Sequence, residues 1–538
     1  MAYRGPVAGR HRRRSTEVRA GTVIRRTPHL DLLPEPPVRP DSRFQVLVYA
    51  DTGPARRGEV SKPIVVVFPQ DVEEIRLSVW LATTEHFVVE DEPVKEMALE
   101  RTAERSVPVH FRVRVKAADE LKKLGGSAAV AAYFSYQGRA SGMVRRLVRT
   151  AGVTARPPAG PGGLPPRQAP PALSIDFDAA APDLTVEITD PGRDLQHLRC
   201  KVSTPHLAAF RAGKTVTWNL PKETGELVGQ YMKDFTAKKR SPRETLASLK
   251  GAGLQLFDVA PDLFKEAFWE LIDAEQPPKT LYVISEEPNI PWELMLPRRF
   301  KPGGEPDDRE YPLGVEFAVG RWIPEKYLSP RQRVPLDDGW VVAPKYTGNM
   351  VLEHAEEEVK LLRDSFRAEP ITPAHFDVID DALARRGVSL LHFVCHGAAN
   401  KGVGKQVIHL EGQSETLDST QVRAMDGFKK ACRSKKPLVF MNACEVGRQV
   451  VALVGVGGFA PAFIFLGASA VIAPLWSVKD KLAHEVAREF YQRVKDEPAA
   501  TFAQIAQGVR RKAYEAPWED SYAAYCFYGD PLAARAAG

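Results

Sequence analysis

The 538-residue sequence has no apolar run approaching the ~18 residues that cross a bilayer, and no apolar segment follows its Arg-rich N-terminus as it does in a secretory signal. A cytoplasmic protein without membrane contact is expected. Cysteine is scarce: five residues, at 200, 395, 432, 444 and 526, an odd number with no C-x-x-C pair. That pattern excludes a disulfide framework and a cysteine-based zinc site, so reduced thiols are expected, with no metal and no cofactor. Strong charge is lacking too. A net charge of +6 over this length gives no support to nucleic-acid binding. No internal repeat marks a solenoid or propeller.

The composition is that of a globular protein, 44% hydrophobic and 26% charged, and the length exceeds a single core. Residues 1–40 combine Arg10-His11-Arg12-Arg13-Arg14 and Arg25-Arg26 with Pro34, Pro36, Pro37 and Pro40, and read as a disordered basic tail. From 41 to 150, short runs rich in β-branched and aromatic residues alternate with turn signals: Phe44–Tyr49, Pro63–Phe68, Ile75–Leu81, Val107–Val115 and Ala128–Tyr136. They predict an all-β, sandwich-like N-terminal domain. Seven prolines and three glycines between Arg156 and Pro171 mark 151–172 as a semi-stiff linker between separately folded halves. Residues 173–538 form the second half, with a core at about 338–538 where strand and helix patterns alternate. Alternation of that kind predicts an α/β unit with a mostly parallel central sheet flanked by helices.

The chemistry gathers at two strand ends. Val388–Cys395 and Pro437–Met441 are continuous apolar runs, as expected of strands buried on both faces. The first leads into His396-Gly397 and the second into Asn442-Ala443-Cys444-Glu445. Open α/β sheets collect their reactive groups at such carboxyl ends, and a histidine beside a cysteine supplies the base that makes a thiol nucleophilic. Backbone N–H groups of Gly397 and Cys444 are the expected oxyanion hole. His392 lies four residues back along its strand, about 13 Å, and is expected to be a packed, hydrogen-bonded histidine. Cys395 points to the opposite face and is read as core. Gly455-Val456-Gly457-Gly458 lacks the lysine of a phosphate loop and is read as a tight entry to a helix. The run Lys429–Lys436 is read as a solvated loop, with self-cleavage or trans-cleavage as its sharper reading.

His396 precedes Cys444 by 48 residues, an order and spacing like those of caspases. The segments Leu391-His392-Phe393-Val394-Cys395-His396-Gly397, Asn442-Ala443-Cys444-Glu445, Phe463–Ala468 and Leu475-Trp476-Ser477-Val478-Lys479-Asp480 together resemble the CHAT domain family. Ile290-Pro291-Trp292-Glu293-Leu294 and Ala524–Pro531 also resemble that family's opening and closing motifs, so the resemblance covers roughly 173–538. Val446 departs from it, standing where a small hydroxyl residue is common. The resemblance implies a caspase-like and separase-like cysteine peptidase with Cys444 as nucleophile and His396 as catalytic histidine. It further implies a substrate pocket at Trp476 and Asp480 selecting Arg or Lys, and a place in bacterial conflict, defence or cell death. Asp480 also sits where a helix N-cap belongs, which leaves a second reading of it. Protein substrates are the expected partners, with a sensor or activator engaged through the β domain. The alternative is a catalytically silent caspase-like module that binds protein.

Overall fold

The computed structural model describes residues 22–124, 127–151, 173–175, 180–192, 194–229, 241–287, 289–324, 332–400, 405–412, 415–444, 458–475, 478–516 and 521–536. Residues 1–21 and the stretch 152–172, read as tail and linker, lie outside them.

Residues 22–151 build two packed sheets around one apolar core. The first sheet orders its strands Leu173–Ile175, Ile64–Phe68, Thr22–Leu33, Arg43–Asp51, Val109–Val115 and Phe87–Val89. The second orders Glu59–Lys62, Arg139–Leu147, Ala129–Tyr136, Glu74–Thr83 and Val94–Glu100. Two expectations are corrected. Thr22–Leu33 is a 12-residue strand inside the first sheet, not part of a disordered tail. Its polar residues are satisfied: the Arg26 guanidinium donates to the Ala103 carbonyl, and the buried His29 ring lies 2.9 Å from Asp51 and 3.0 Å from Glu59. Leu173–Ile175 pairs in parallel with Ile64–Val66, so it extends the first sheet instead of opening the second half.

The second unit is one 13-stranded sheet. Across it run Lys214–Asn219, His197–Ser203, Leu184–Thr189, Thr280–Ser285, Ala318–Trp322, Tyr525–Tyr528, Ala470–Pro474, Leu438–Cys444, Leu390–Asn400, Gly339–Val342 and Ala368–Pro370. The five strands from Ala470–Pro474 to Ala368–Pro370 are parallel. Tyr525–Tyr528 runs antiparallel to Ala470–Pro474, and the far edge is an antiparallel meander. The sheet is therefore mixed, so the mostly parallel one expected is met only in part.

Helices cover both faces of the parallel part. Phe393 packs on Phe428 of helix Asp426–Lys435 and on Phe463 of helix Phe459–Leu466. On the opposite face Phe440 packs on Phe490 and Tyr491 of helix Asp480–Asp496, which also meets helix Ala355–Phe366. Each such buried aromatic contributes about 1.5–3 kcal/mol, so the strand ends rest on a rigid layer. The basic run expected as a loop is mostly the C-terminal part of helix Asp426–Lys435, with Ala431 and Cys432 buried and the lysines outward.

The two units keep separate cores but dock on each other. Arg139 of the β unit pairs at 2.6 Å with Asp530, whose side chain is 1% exposed, and the Arg145 guanidinium donates to the Pro191 carbonyl. Among the described residues, no helix is long and apolar enough to cross a membrane.

Candidate active site

Parallel pairing fixes the site's register. His392 lies opposite Phe440, Val394 opposite Asn442, and His396 opposite Cys444. Neighbouring strands run about 4.8 Å apart, and residues two apart share a face. His392, His396 and Asn442 thus belong to the face covered by helices Ala355–Phe366 and Asp480–Asp496, while Cys395 and Ala443 belong to the other. The histidine strand does not end at His396. It continues to Asn400, leaving the parallel ladder to pair in antiparallel sense with Lys405–His409. This departure opens the sheet beyond the His396–Cys444 pair.

His396 is 2% exposed and held from three sides. Its backbone N–H donates to the Tyr346 hydroxyl at 3.1 Å, and the two rings lie 4.7 Å apart. The Tyr346 hydroxyl in turn donates to the His409 carbonyl at 2.6 Å. Nε2 of His396 is 2.6 Å from the Met350 carbonyl oxygen. A carbonyl only accepts, so Nε2 carries the hydrogen, and in the neutral ring Nδ1 is the basic nitrogen. Neither Tyr346 nor Met350 was found from the sequence. A backbone carbonyl has no residue-type signature, and Tyr346 lies in a loop without periodicity.

Beneath this pair is a buried polar network centred on Glu358, whose side chain is 1% exposed. Its carboxylate accepts from His392 Nε2 at 2.5 Å and from Asn442 Nδ2 at 2.9 and 3.1 Å. The Tyr491 hydroxyl lies 2.8 Å from His392 Nδ1, and the Tyr525 hydroxyl donates to Asn442 Oδ1 at 2.6 Å. Burial alone would raise the Glu358 pKa, but the hydrogen bonds from His392 and Asn442 and the nearby His484 ring outweigh it and hold the carboxyl below its ordinary value. Asn442 is two residues from Cys444, so the network fixes the strand that carries the thiol. Glu358 had a legible signal: it shares an i, i+4 stripe with the buried Leu362 and Phe366. His392 is packed and hydrogen-bonded, as expected.

Cys200, Cys395, Cys432 and Cys526 are buried free thiols. Burial raises the pKa of each, that of Cys432 to about 12, so none is poised to form a thiolate. A side chain at Gly397 would meet no described atom nearer than 3.6 Å, so the described packing does not demand glycine there. Asp480 is the first residue of its helix, and Lys479 occupies the N-cap position. Half-burial raises the Asp480 pKa, against the pull of the His354 ring and of the His354 and Glu353 backbone N–H groups. The Asp480 carboxylate therefore lies against the N-terminal turn of helix Ala355–Phe366. Trp476 and residues 445–457 lie outside the described residues; of the glycines read as a helix entry, Gly458 is the N-cap of helix Phe459–Leu466.

No curated protein sequence matches the chain. Among solved structures it is similar to the Arg-specific cysteine proteinase gingipain R, at 14% identity and a TM-score of 0.35, covering 58% of this chain and 76% of that one. It is also similar to the Drosophila initiator caspase Dronc, at 11% identity and a TM-score of 0.26, covering 38% and 85% respectively. A third similarity is to the Saccharomyces cerevisiae separase–securin complex, at 10% identity and a TM-score of 0.38, covering 64% of this chain and 30% of that one. The CHAT domain family profile matches residues 341–527, a narrower span than 173–538 although the sheet itself begins at the Leu184 strand and its meander. Over residues 341–527, then, the chain is similar to the CHAT domain family.

Proposed function

We propose that the chain is a caspase-like cysteine endopeptidase with Cys444 as nucleophile and His396 as base. The observation that carries this reading is the register of the two strands, which sets His396 directly opposite Cys444 at the end of their parallel ladder. The state of the other four thiols supports it, because each is buried with its pKa raised.

In this reading His396 Nδ1 takes the Cys444 proton while the sulfur attacks the scissile carbonyl carbon. The carbonyl oxygen gains negative charge and is met by the backbone N–H groups of Gly397 and Cys444. Collapse breaks the C–N bond, and the imidazolium returns its proton to the leaving amine. Water, deprotonated by the same nitrogen, then cleaves the thioester and restores the thiol. The Met350 carbonyl keeps Nε2 protonated throughout and so holds Nδ1 toward the reaction.

For specificity, we propose Arg or Lys on the acyl side of the cleaved bond, with Asp480 as counter-charge and Trp476 as wall. The β unit is proposed to engage a sensor or activator in a bacterial defence or cell-death pathway, its docking through Arg139 and Asp530 giving it a route to the peptidase unit. A proteome-wide cleavage profile of the wild type against Cys444→Ala tests this. New N-termini after basic residues, absent from the variant, are expected. A variant that keeps the full cellular effect would identify a binding module instead.

A further inference from the structure

Close to His396, but outside the machinery above, two histidines and a carboxylate converge without hydrogen-bonding one another. His354 and Glu357 share a face at the start of helix Ala355–Phe366, and His484 lies in the second turn of helix Asp480–Asp496. One ligand atom from each lies within 4.8 Å of the other two. Glu357 Oε2 is 3.6 Å from His484 Nε2 and 3.9 Å from His354 Nδ1. These separations are too long for hydrogen bonds. They approach the spacing of about 3.3–3.5 Å that a tetrahedral ion with 2.0–2.1 Å bonds imposes on its ligands. The two imidazoles are stacked, 5.0 Å between centroids and 20° between planes.

A second observation points the same way. His484 is 7% exposed, and its Nδ1 has no hydrogen-bond partner but faces Glu358 Oε2 at 3.6 Å. A carboxylate behind the far nitrogen of an imidazole is the arrangement that orients metal-binding histidines. Here that carboxylate is itself anchored by His392 and Asn442. Glu357 is 71% exposed, so an ion has a way in and Glu357 has room to rotate closer.

We propose that His354, Glu357 and His484 form a binding site for a divalent transition-metal ion of the zinc class, with water completing the coordination. Two imidazoles and one carboxylate with an open position suit such an ion, and Asp480 and Glu358 add negative charge beside it. The bound ion ties the first turn of one helix to the early turns of the other. Because Met350, which holds His396, lies four residues before His354, loading the site stiffens the loop that positions the catalytic histidine.

The test uses the full chain carrying Cys444→Ala, which removes a competing ligand pair, a thiolate with His396. Equilibrium dialysis against Zn²⁺ should find one equivalent bound per chain. His354→Gln and Glu357→Gln should each weaken binding by about 10–100-fold, and both start from partly or well exposed side chains and preserve the fold. Co²⁺ added to the same protein should develop the visible bands of tetrahedral nitrogen and oxygen ligation, lost in both variants. Hydrogen exchange over 346–354 should slow with Zn²⁺ in the Cys444→Ala protein and stay unchanged in Glu357→Gln. Zn²⁺ binding that disappears with Cys444→Ala, or that both ligand variants leave intact, would overturn the assignment. So would loaded protein whose 346–354 exchange does not slow.

Discussion

Replacing Glu358 by Gln preserves shape and removes one buried charge, so it probes the network beneath the thiol strand. Oε1 of the carboxylate accepts from both His392 and the Asn442 amide, and Oε2 accepts from the same amide at 3.1 Å. A glutamine offers one acceptor only. If its oxygen faces His392, its NH2 meets the NH2 of Asn442. Flipping Asn442 does not help, because its Oδ1 already accepts from Tyr525 and its Nδ2 donates to the Ala483 carbonyl. At least one charge-assisted hydrogen bond is lost, at about 1.5–3 kcal/mol, and a buried donor is left facing a donor. The total falls near the ~3–5 kcal/mol of breaking a buried ionic contact. Seven of the eight tryptophans follow residue 184, so their emission reports on this unit in a urea titration. With an m-value of about 3 kcal/mol/M, the midpoint should drop by roughly 1–1.7 M. Glu357→Gln is the control: one residue away, 71% exposed, and expected to change stability by no more than about 0.5 kcal/mol in chelator. Equal midpoints for Glu358→Gln and the control would refute the argument that Glu358 is a charged hub.

Three further outcomes follow from the structure. Asp338 anchors the start of the parallel ladder, accepting from the Ser389 N–H at 3.0 Å and from Lys435 Nζ at 2.8 Å. Partial burial pushes its pKa up, but Lys435 and Ser389 outweigh this and hold it below its ordinary value. A depressed carboxyl stabilises the fold above its unfolded pKa and loses that contribution as pH falls through the folded value. Asp338→Asn should thus cost about 1–3 kcal/mol at pH 7, with the gap to wild type closing in melts run below pH 4; a pH-independent gap would contradict this. Arg139→Met leaves Asp530 buried without its cation and should cost about 3–5 kcal/mol, seen as faster proteolysis between the two units, whereas an unchanged digest would mean the pair does not hold them together. Asp480→Asn should abolish cleavage after Arg and Lys with little change in melting temperature, and a retained basic preference would show that Asp480 only supports the neighbouring helix.

The strands that carry His396 and Cys444 were legible because strands buried on both faces leave unbroken apolar runs, and Val388–Cys395 and Pro437–Met441 are such runs. Their reactive ends were legible as residue types at a strand terminus. Strand direction was not, since periodicity is the same for parallel and antiparallel neighbours; the return of Tyr525–Tyr528 came from the structure alone. Thr22–Leu33 was misread because Arg26 and His29 break the apolar alternation, and only their partners Ala103, Asp51 and Glu59, far along the chain, let them be buried. The Met350 carbonyl could not be foreseen by any pattern, because every residue has one. Convergence of His354, Glu357 and His484 depends on two helices separated by more than a hundred residues.

The central claim, that Cys444 is activated by His396, is tested most directly by intact-protein mass spectrometry with a peptide-based, thiol-directed electrophile at neutral pH. The account predicts a single adduct on Cys444 in the native protein, no adduct on Cys200, Cys395, Cys432 or Cys526, and labelling slowed at least tenfold in His396→Ala. Labelling of Cys444 at the same rate in His396→Ala, or an adduct that persists in folded Cys444→Ala, would contradict it.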